Sequence, residues 1–379
     1  MKKIKYMLKR ICSMNYSELF KTAKRVSKKC NKNCLIIFID IIYCGMKYMA
    51  GYVDYEVFEM YNMNKEQRKT VITRGINNKF VVMLNDKNFT NIIDDKILFN
   101  KKYNDYLHRD WLDLRVTTKE DFLEYMKSKK VAIVKPIDLS CGKGVEKIVC
   151  IETIDKSSIM EFLKNNSGFK ITEEMEGLES EELVKYLLNT FGIHFVTENE
   201  LISLYDELQK NRQYLVEDYV MQHKELMKLY PEAVNTLRIV TILKDNVAYV
   251  PFACIRMGNL GNVVDNFNHG GLLTTIDEDG IIRKPGVDKN GNVYEKHPYT
   301  GTDIVGFKIP LYDEAINYVK ELAKVTPQVR YTAWDICVTD NGPVVIEGNP
   351  FPGHDVYQSK IHLNEGGKGM LPTFEKIIY

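Results

Sequence analysis

The chain has 379 residues, of which 45% are hydrophobic and 27% are charged, a composition typical of a soluble globular protein with more than one core. Fifty-two Lys and Arg residues balance 51 Asp and Glu residues, which argues against a nucleic-acid-binding protein with a basic body. No apolar run reaches the roughly 20 residues that span a bilayer, and no signal peptide is indicated. The most apolar run, residues 35–45, is predicted to form a buried helix or strand.

The eight cysteines are scattered without Cys-x-x-Cys pairs. This usage is typical of the reducing cytosol and indicates neither a disulfide framework nor a zinc site. The sequence therefore predicts a cytoplasmic protein.

The balanced total hides a basic N-terminus. Residues 1–34 contain eleven Lys or Arg residues and one acidic residue, for a net charge of +10, so the remaining chain carries −9. Ile4, Leu8 and Ile11 recur at helical spacing among these cations. Two interpretations remain open: a basic amphipathic helix that lies on an anionic membrane surface, or a solvated helix whose apolar edge packs against the body.

The elements follow one another without an internal repeat. Residues 35–130 are predicted to be mostly helical, and residues 79–84 fit either a strand or a buried helical turn. Two β-branched runs, 131–136 and 145–152, flank a glycine-containing turn. Residues 155–212 are polar and predicted to be helical. The later part of the chain is predicted to contain strands at 214–220, 236–243, 247–257, 271–275, 333–339 and 343–347, with a helix at 313–325.

The two final strands are joined by Asn341 and Gly342, a strong tight-turn signal. A tight hairpin places Asp335 opposite Glu347, and strand periodicity directs Asn349 to the same face as Glu347. Two carboxylates and an amide carbonyl are hard oxygen ligands of the kind that Mg²⁺ prefers. We therefore predict a metal site here, because a carboxylate that follows an apolar strand is an odd choice without a cation.

Cationic residues on other predicted strands indicate an anion-binding site. Lys135 ends a strand just before a glycine-containing loop, whose backbone amides can approach phosphate oxygens. Arg238 and Arg256 lie on two later strands and are suited to oxyanions, although each alone fits a salt bridge. Asn268 precedes a histidine and two glycines, which let the backbone approach a bound group.

The chain resembles the ATP-grasp superfamily in the order of its segments. These are a lysine, a glycine loop, a strand, an arginine, Asn-x-Gly-Gly, an aspartate and Glu-x-Asn. Residues 229–238, 297–301 and 306–310 are similar to its sugar-transfer-associated, alpha-L-glutamate ligase-related branch. The resemblance covers roughly residues 95–379. It implies an α+β ATP-grasp fold, in which two α+β subdomains clasp ATP, preceded by a mainly helical N-terminal region. The domains expected are 1–94, helical with a basic start; 95–220, the lid and nucleotide subdomain; and 221–379, the C-terminal subdomain with the metal and substrate site.

The resemblance also implies roles for individual residues. Arg238 would neutralise the transferring phosphoryl group, and Arg256 and Asn268 would face the acyl phosphate or the substrate carboxylate. An earlier nucleotide lysine is assigned to Lys101, with Asn100 and Lys102 as competitors, and the ribose ligand to Glu225, with Gln222 as the alternative. One or two Mg²⁺ would be held by Asp335, Glu347 and Asn349. The residues expected to bind ATP are Lys101, Lys135, Lys143, Gly144, Glu217, Asp218, Val220 and Glu225.

The function implied is an ATP-dependent carboxylate–amine ligase that forms an amide through an acyl phosphate. The branch suggests that an amino acid is joined to a sugar or uronic acid in surface polysaccharide synthesis, at the inner membrane face, with residues 1–34 touching anionic lipid. Three alternatives remain: an amino-acid ligase acting on a peptide or protein, an ATP-dependent kinase, and a nucleotide-binding scaffold of a glycan-assembly complex.

Overall fold

The computed structural model describes residues 15–137, 144–166, 171–259, 270–355 and 358–379. The chain divides into two compact units. The terminal unit contains Met1–Asp86 and Phe351–Tyr379, and the central unit contains Lys87–Pro350. The three-domain division expected from the sequence stays a prediction.

Helices dominate the terminal unit and alternate with strands in the central unit. In the terminal unit's first part they are α1 (Tyr16–Cys30), α2 (Cys34–Tyr48), α3 (Tyr52–Val57), α4 (Lys65–Arg68) and α5 (Arg74–Leu84). The central unit contains α6 (Asn91–Asp94), α7 (Lys96–Lys102), α8 (Lys119–Lys129), α9 (Lys156–Asn166), α10 (Glu173–Gly177), α11 (Ser180–Phe191), α12 (Leu201–Lys210), α13 (Lys224–Met227) and α14 (Tyr312–Val325), and the chain ends in α15 (Leu371–Ile378). Among the described residues, no helix combines the length and apolar character needed to cross a bilayer.

Two sheets form the framework of the central unit. The first has the order β1-β5-β2-β3-β4 and contains β1 (Trp111–Asp113), β2 (Val131–Lys135), β3 (Glu146–Cys150), β4 (Ile193–Val196) and β5 (Leu215–Asp218). The second has the order β10-β9-β8-β7-β6-β11-β12 and contains β6 (Leu237–Lys244), β7 (Val247–Met257), β8 (Leu272–Ile276), β9 (Gly286–Val287), β10 (Val293–Tyr294), β11 (Tyr331–Thr339) and β12 (Gly342–Asn349).

Most predicted elements are present, but strands β1, β9 and β10 were not predicted. The segment 79–84 belongs to helix α5, so the helical alternative was correct. Strand β4 lies inside the region predicted to be helical, and that prediction was wrong for these four residues. The apolar run 35–45 forms most of α2, but only one face of this helix is buried. The predicted basic helix within residues 1–14 lies outside the described residues.

The two ends of the chain pack together in the terminal unit. The Phe80 and Phe374 rings are stacked with centroids 6.2 Å apart. The buried Asn77 side chain donates to the backbone carbonyl of Pro352 at 2.9 Å. Buried Gln358 exchanges hydrogen bonds with both backbone groups of Ile72, at 2.9 and 3.0 Å. The segment that follows β12 is therefore part of this unit's core.

Helices cover one face of each sheet in the central unit, and in the first sheet α9 and α11 also cover Val149, Ile193 and Phe195 on the opposite face. In the first sheet, Val134, Ile148 and Val216 belong to a cluster with residues of α8 and α12. In the second sheet, Ile239 and Ile255 belong to a cluster with residues of α14. Because side chains alternate along a strand, the intervening residues lie on the opposite faces. Those faces carry the polar residues of the candidate site.

Candidate active site

The hairpin of β11 and β12 brings together the two carboxylates predicted as metal ligands. Asp335 pairs with Glu347 in the antiparallel register, as the turn signal predicted. The register shifts directly beyond this pair, where Ile336 pairs with Val345, so Ile346 is the extra residue of a β-bulge. The Asp335 and Glu347 carboxyl groups are close enough for each to affect the ionisation of the other. The predicted pairing is therefore confirmed, while its role in metal binding stays a prediction.

Two arginines hold Asp335. Arg238 donates to both of its oxygens, from Nε at 2.8 Å and from an Nη at 2.7 Å, and Arg256 donates to one of them at 3.0 Å. Arg256 is itself oriented by two hydrogen bonds to the hydroxyl of Thr236. Burial opposes ionisation of Asp335, but the two guanidinium charges outweigh it and lower the pKa of its carboxyl. Asp335 is thus a fixed negative charge.

Glu347 differs from its neighbour. Burial and the negative charge of Asp335 both disfavour its ionised form, so the pKa of Glu347 is raised. Arg256 and Lys135 oppose this shift with a smaller effect. A cation placed between the two carboxyl groups would relieve their repulsion, which is the environment expected of a metal ligand. Asn349, the last residue of β12, pairs with Ala333 in the strand register.

A second buried ion-pair network surrounds Glu217 on β5. One of its carboxylate oxygens accepts from Arg109 at 2.7 Å and from Asn100 at 2.8 Å. The other accepts from Lys135 at 2.5 Å. Burial would raise the pKa of Glu217, but the charges of Arg109 and Lys135 outweigh it and lower the pKa well below its usual range. Glu217 was predicted to belong to the adenine hinge. In the structure its side chain positions Lys135.

Arg109 links this network to the hairpin of β11 and β12. Besides Glu217, it donates to the backbone carbonyls of Val345 and, at 3.3 Å, Ile346. These are the carbonyls at the bulge that immediately precedes Glu347. A bulge leaves a ladder group unpaired, and the buried guanidinium satisfies it. Arg109 thus ties strand β5 of the first sheet to strand β12 of the second.

Lys147 adds a cation to the same face of the first sheet. It pairs across the strands with Ile133, which pairs in turn with Glu217. Its ammonium lies 3.8 Å from the centre of the Tyr219 ring and 5.3 Å from that of Phe162, a cation–π arrangement. Burial lowers the pKa of Lys147 to about 8. A desolvated amine of this kind gains from an anionic ligand.

Together these residues form what we call the charged cluster. Its cations outnumber its carboxylates, and a surplus of positive charge suits a polyphosphate. Among the described residues, no group of three or more His, Cys, Asp or Glu side chains is arranged to hold a metal ion, so a metal here would rely on two carboxylates and Asn349. The charged cluster consists of Arg109, Lys135, Lys147, Glu217, Arg238, Arg256, Asp335 and Glu347.

Other residues predicted to bind the nucleotide have partners of their own. The Lys101 ammonium is exposed and 3.9 Å from Asp113. The Asp218 carboxylate accepts from Lys129 and Tyr125, and its backbone N–H donates to Asp110. Glu225 lies on α13 and pairs with Lys228 at 2.6 Å. The remaining predicted residues are Val220, just beyond β5; Gly144, whose carbonyl accepts from Gln213; and Lys143 and Asn268, which lie outside the described residues.

The alternative ribose ligand, Gln222, is buried and fully bonded. Its amide nitrogen donates to the carbonyls of Tyr230 and Ala233, and its amide oxygen accepts from the backbone and the side chain of Asn235. A side chain that uses both ends of its amide in the core has a structural role. Of the two candidates, Glu225 has the more accessible side chain.

Sequence reasoning missed Arg109 and Lys147, and it considered Asn100 only as a competitor for a nucleotide lysine. No local pattern marks them, because their partners lie on distant parts of the chain. Arg109 and Glu217 are 108 residues apart, and Asn100 and Glu217 are 117 apart. One signal was available for Lys147, which is a charged residue within an apolar strand. This strand pairs with residues 131–134, and the pairing places Lys147 on the same face of the sheet as Glu217.

Comparison with known families gives a match over most of the chain. A model described as sugar-transfer associated ATP-grasp matches residues 68–361, more than three quarters of the chain. The chain belongs to this ATP-grasp family. The α+β fold with two sheets and a helical N-terminal region, expected from the resemblance, is therefore confirmed. No curated protein matches the chain.

Solved structures of ATP-grasp proteins are similar at low identity. D-alanyl-alanine synthetase A from Vibrio cholerae O1 biovar eltor str. N16961 is 9% identical, with a TM-score of 0.36, over 69% of this chain and 56% of that one. D-alanine–D-alanine ligase from Bacillus anthracis is 13% identical, with a TM-score of 0.35, over 76% and 67%. The ATP-grasp ligase PsnB, complexed with precursor peptide PsnA2 and AMPPNP, is 12% identical, with a TM-score of 0.38, over 78% and 61%. The match thus spans little more than half of the Vibrio chain.

Proposed function

We propose that this protein is an ATP-dependent carboxylate–amine ligase that forms an amide through an acyl phosphate. The observation that carries the proposal is the charged cluster: buried Asp335 and half-buried Glu347 lie beside an excess of mostly half-buried cations, in a chain of the ATP-grasp family. The cluster contains no nucleophile poised beside a base. Its chemistry is positioning and neutralisation of negative charge.

The residues fit a Mg·ATP complex. Lys135 is oriented by Glu217 and would contact the phosphates, and the backbone of Val220 is the hinge group we assign to adenine. Asp335, Glu347 and Asn349 would hold one or two Mg²⁺, and the raised pKa of Glu347 supports this, because a cation stabilises the ionised carboxylate. When bound, Mg²⁺ would neutralise phosphate charge and make the γ-phosphorus a better electrophile.

Two steps follow. An oxygen of the substrate carboxylate forms a bond to the γ-phosphorus, the bond to the bridging oxygen breaks, and ADP leaves. The nitrogen of the amine then bonds to the acyl carbon, phosphate departs with the electron pair of the broken C–O bond, and the nitrogen loses a proton. Arg238 and Arg256, held near the carboxyl pair, are placed to stabilise charge on the transferring phosphoryl group and on the acyl phosphate.

For the substrates, we propose an amino acid as the amine and a sugar or uronic acid as the carboxylate, in surface polysaccharide synthesis. The family description, sugar-transfer associated, supports this choice. An amino-acid ligase acting on a peptide or protein differs only in the acceptor. An ATP-dependent kinase would stop after the first step, and a scaffold would bind the nucleotide without turnover.

We further propose a cytoplasmic enzyme that contacts the anionic inner membrane face through residues 1–34, whose net charge is +10. Helix α1 is part of the terminal unit's core, since Leu19, Ala23 and Val26 are buried. Removal of all 34 residues would therefore expose that core. The contact is better tested by removing residues 1–14 alone.

Lys135→Ala is expected to weaken ATP binding about 10- to 100-fold, because one charge-assisted contact with phosphate is lost. Titration calorimetry with Mg²⁺ and a non-hydrolysable ATP analogue measures this effect. Lys130→Ala is the matched control, since it removes an exposed lysine that pairs with Glu198 at the surface. Equal affinities for the two variants would refute the assignment of Lys135.

A further inference from the structure

Helix α2 is apolar on two opposite faces. Ile37, Ile41 and Cys44 are buried in the terminal unit. On the other side, Leu35 is 66% exposed and Ile39 is 58% exposed. A helix that is hydrophobic all round is normally enclosed by protein or lipid, yet within the described residues nothing covers this second face.

The exposed apolar surface continues onto helix α1. The rings of Phe20 and Phe38 meet edge to face with centroids 6.3 Å apart, and Phe20 is itself 56% exposed. Tyr16 lies four residues before Phe20, one helical turn away on the same side. We call this surface the α1–α2 patch; its exposed members are Tyr16, Phe20, Leu35, Ile36, Ile39 and Met46.

The charges beside the patch are almost all positive. Lys24 and Lys28 follow Phe20 at four-residue steps and are exposed, so a row of cations extends the apolar row along α1. The only acidic residue of α1, Glu18, pairs with Lys21 at 2.7 Å. The only acidic residue of α2, Asp40, is neutralised by Arg68 at 2.7 Å. No free negative charge on either helix opposes the approach of an anionic surface.

We propose that the α1–α2 patch docks on an anionic lipid bilayer, with its apolar side chains at the acyl boundary and the lysines of α1 at the headgroups. A second copy of the chain is a poorer occupant, because it would bring two rows of lysines together. The bilayer satisfies both features of the surface at once. This proposal extends the membrane contact proposed for residues 1–34 to a folded surface, and it is independent of the ligase chemistry.

The test is flotation of the full chain with vesicles of phosphatidylcholine alone and with about one third phosphatidylglycerol. Ile39→Glu adds a charge at an exposed position of the patch, so the fold is retained. Val82→Glu, at a position 82% exposed on α5 of the same unit, is the matched control. We expect binding to the anionic vesicles alone, reduced by added salt, at least 10-fold weaker in Ile39→Glu and unchanged in Val82→Glu.

Equal binding of the two variants would overturn the proposal. A dimer that Ile39→Glu dissociates, detected by sedimentation equilibrium without vesicle binding, would assign the patch to a second copy instead. A variant lacking residues 1–14 separates the two membrane contacts. Binding lost with this deletion but not with Ile39→Glu would favour the N-terminal segment and refute the patch, whereas ATP binding reports separately on the proposed ligase.

Discussion

Glu347→Gln combined with Asn349→Ala is expected to lower ATP turnover on the order of 1,000-fold while the protein stays folded. Two of the three proposed metal ligands are lost, so phosphate charge is no longer neutralised. Stability is expected to be unchanged or slightly higher, because glutamine is neutral and removes the repulsion by Asp335 that contributes to the raised pKa of Glu347. Turnover is measured as ADP release, and stability as the midpoint of thermal unfolding.

Glu321→Gln provides the control for this variant. Glu321 is exposed on α14 and pairs with Lys324 at 2.8 Å, so the same chemical change is made away from the charged cluster. Its turnover is expected to equal that of the unmodified protein. If the double variant also retained full turnover, the metal assignment of the hairpin would have to be abandoned.

Arg109→Met is expected to destabilise the central unit by about 3 kcal/mol. The change leaves Glu217 with one fewer cation and leaves the carbonyls of Val345 and Ile346 without their donor. The loss lies at the lower end of the range for a broken buried ion pair, because Lys135 and Asn100 still contact Glu217. Methionine keeps most of the side-chain volume, so the effect is mainly that of charge and hydrogen bonding.

Urea unfolding followed by tryptophan fluorescence measures this effect. Both tryptophans, Trp111 and Trp334, lie in the central unit, so the signal reports on that unit. Arg283→Met is the matched control: Arg283 is exposed and pairs at the surface with Asp277 and Asp279, so a loss within about 1 kcal/mol is expected. Similar losses of unfolding free energy in the two variants would mean that Arg109 does not stabilise the bulge.

The features that the sequence predicted depend on short-range patterns. The hairpin of Asp335 and Glu347 could be predicted because two apolar strands and an Asn-Gly turn define one register. The bulge at Ile346 could not, since its stabilising donor, Arg109, lies 237 residues earlier. The apolar run 35–45 likewise indicated a buried element where α2 lies, but burial of only one face is a property of tertiary packing.

Ion-pair networks were the least predictable part of the site. Lys135 and Glu217 were both singled out, yet as separate ligands of the nucleotide. In the structure they are partners, 82 residues apart, because β2 and β5 are neighbours in the first sheet. The order of strands in a sheet is not encoded by local propensity. For the same reason, the packing of residues 351–379 with the N-terminal helices was not predicted from the sequence.

The most direct test of the proposed ligase is product analysis with hydroxylamine in place of the unknown amine. The protein is incubated with Mg·ATP, hydroxylamine and pools of uronic acids or peptides. An acyl phosphate reacts with hydroxylamine, so we expect ADP, phosphate and a hydroxamate in equal amounts, and none of them without the carboxylate. Formation of AMP and pyrophosphate, or of ADP with a stable phosphorylated sugar and no hydroxamate, would contradict it.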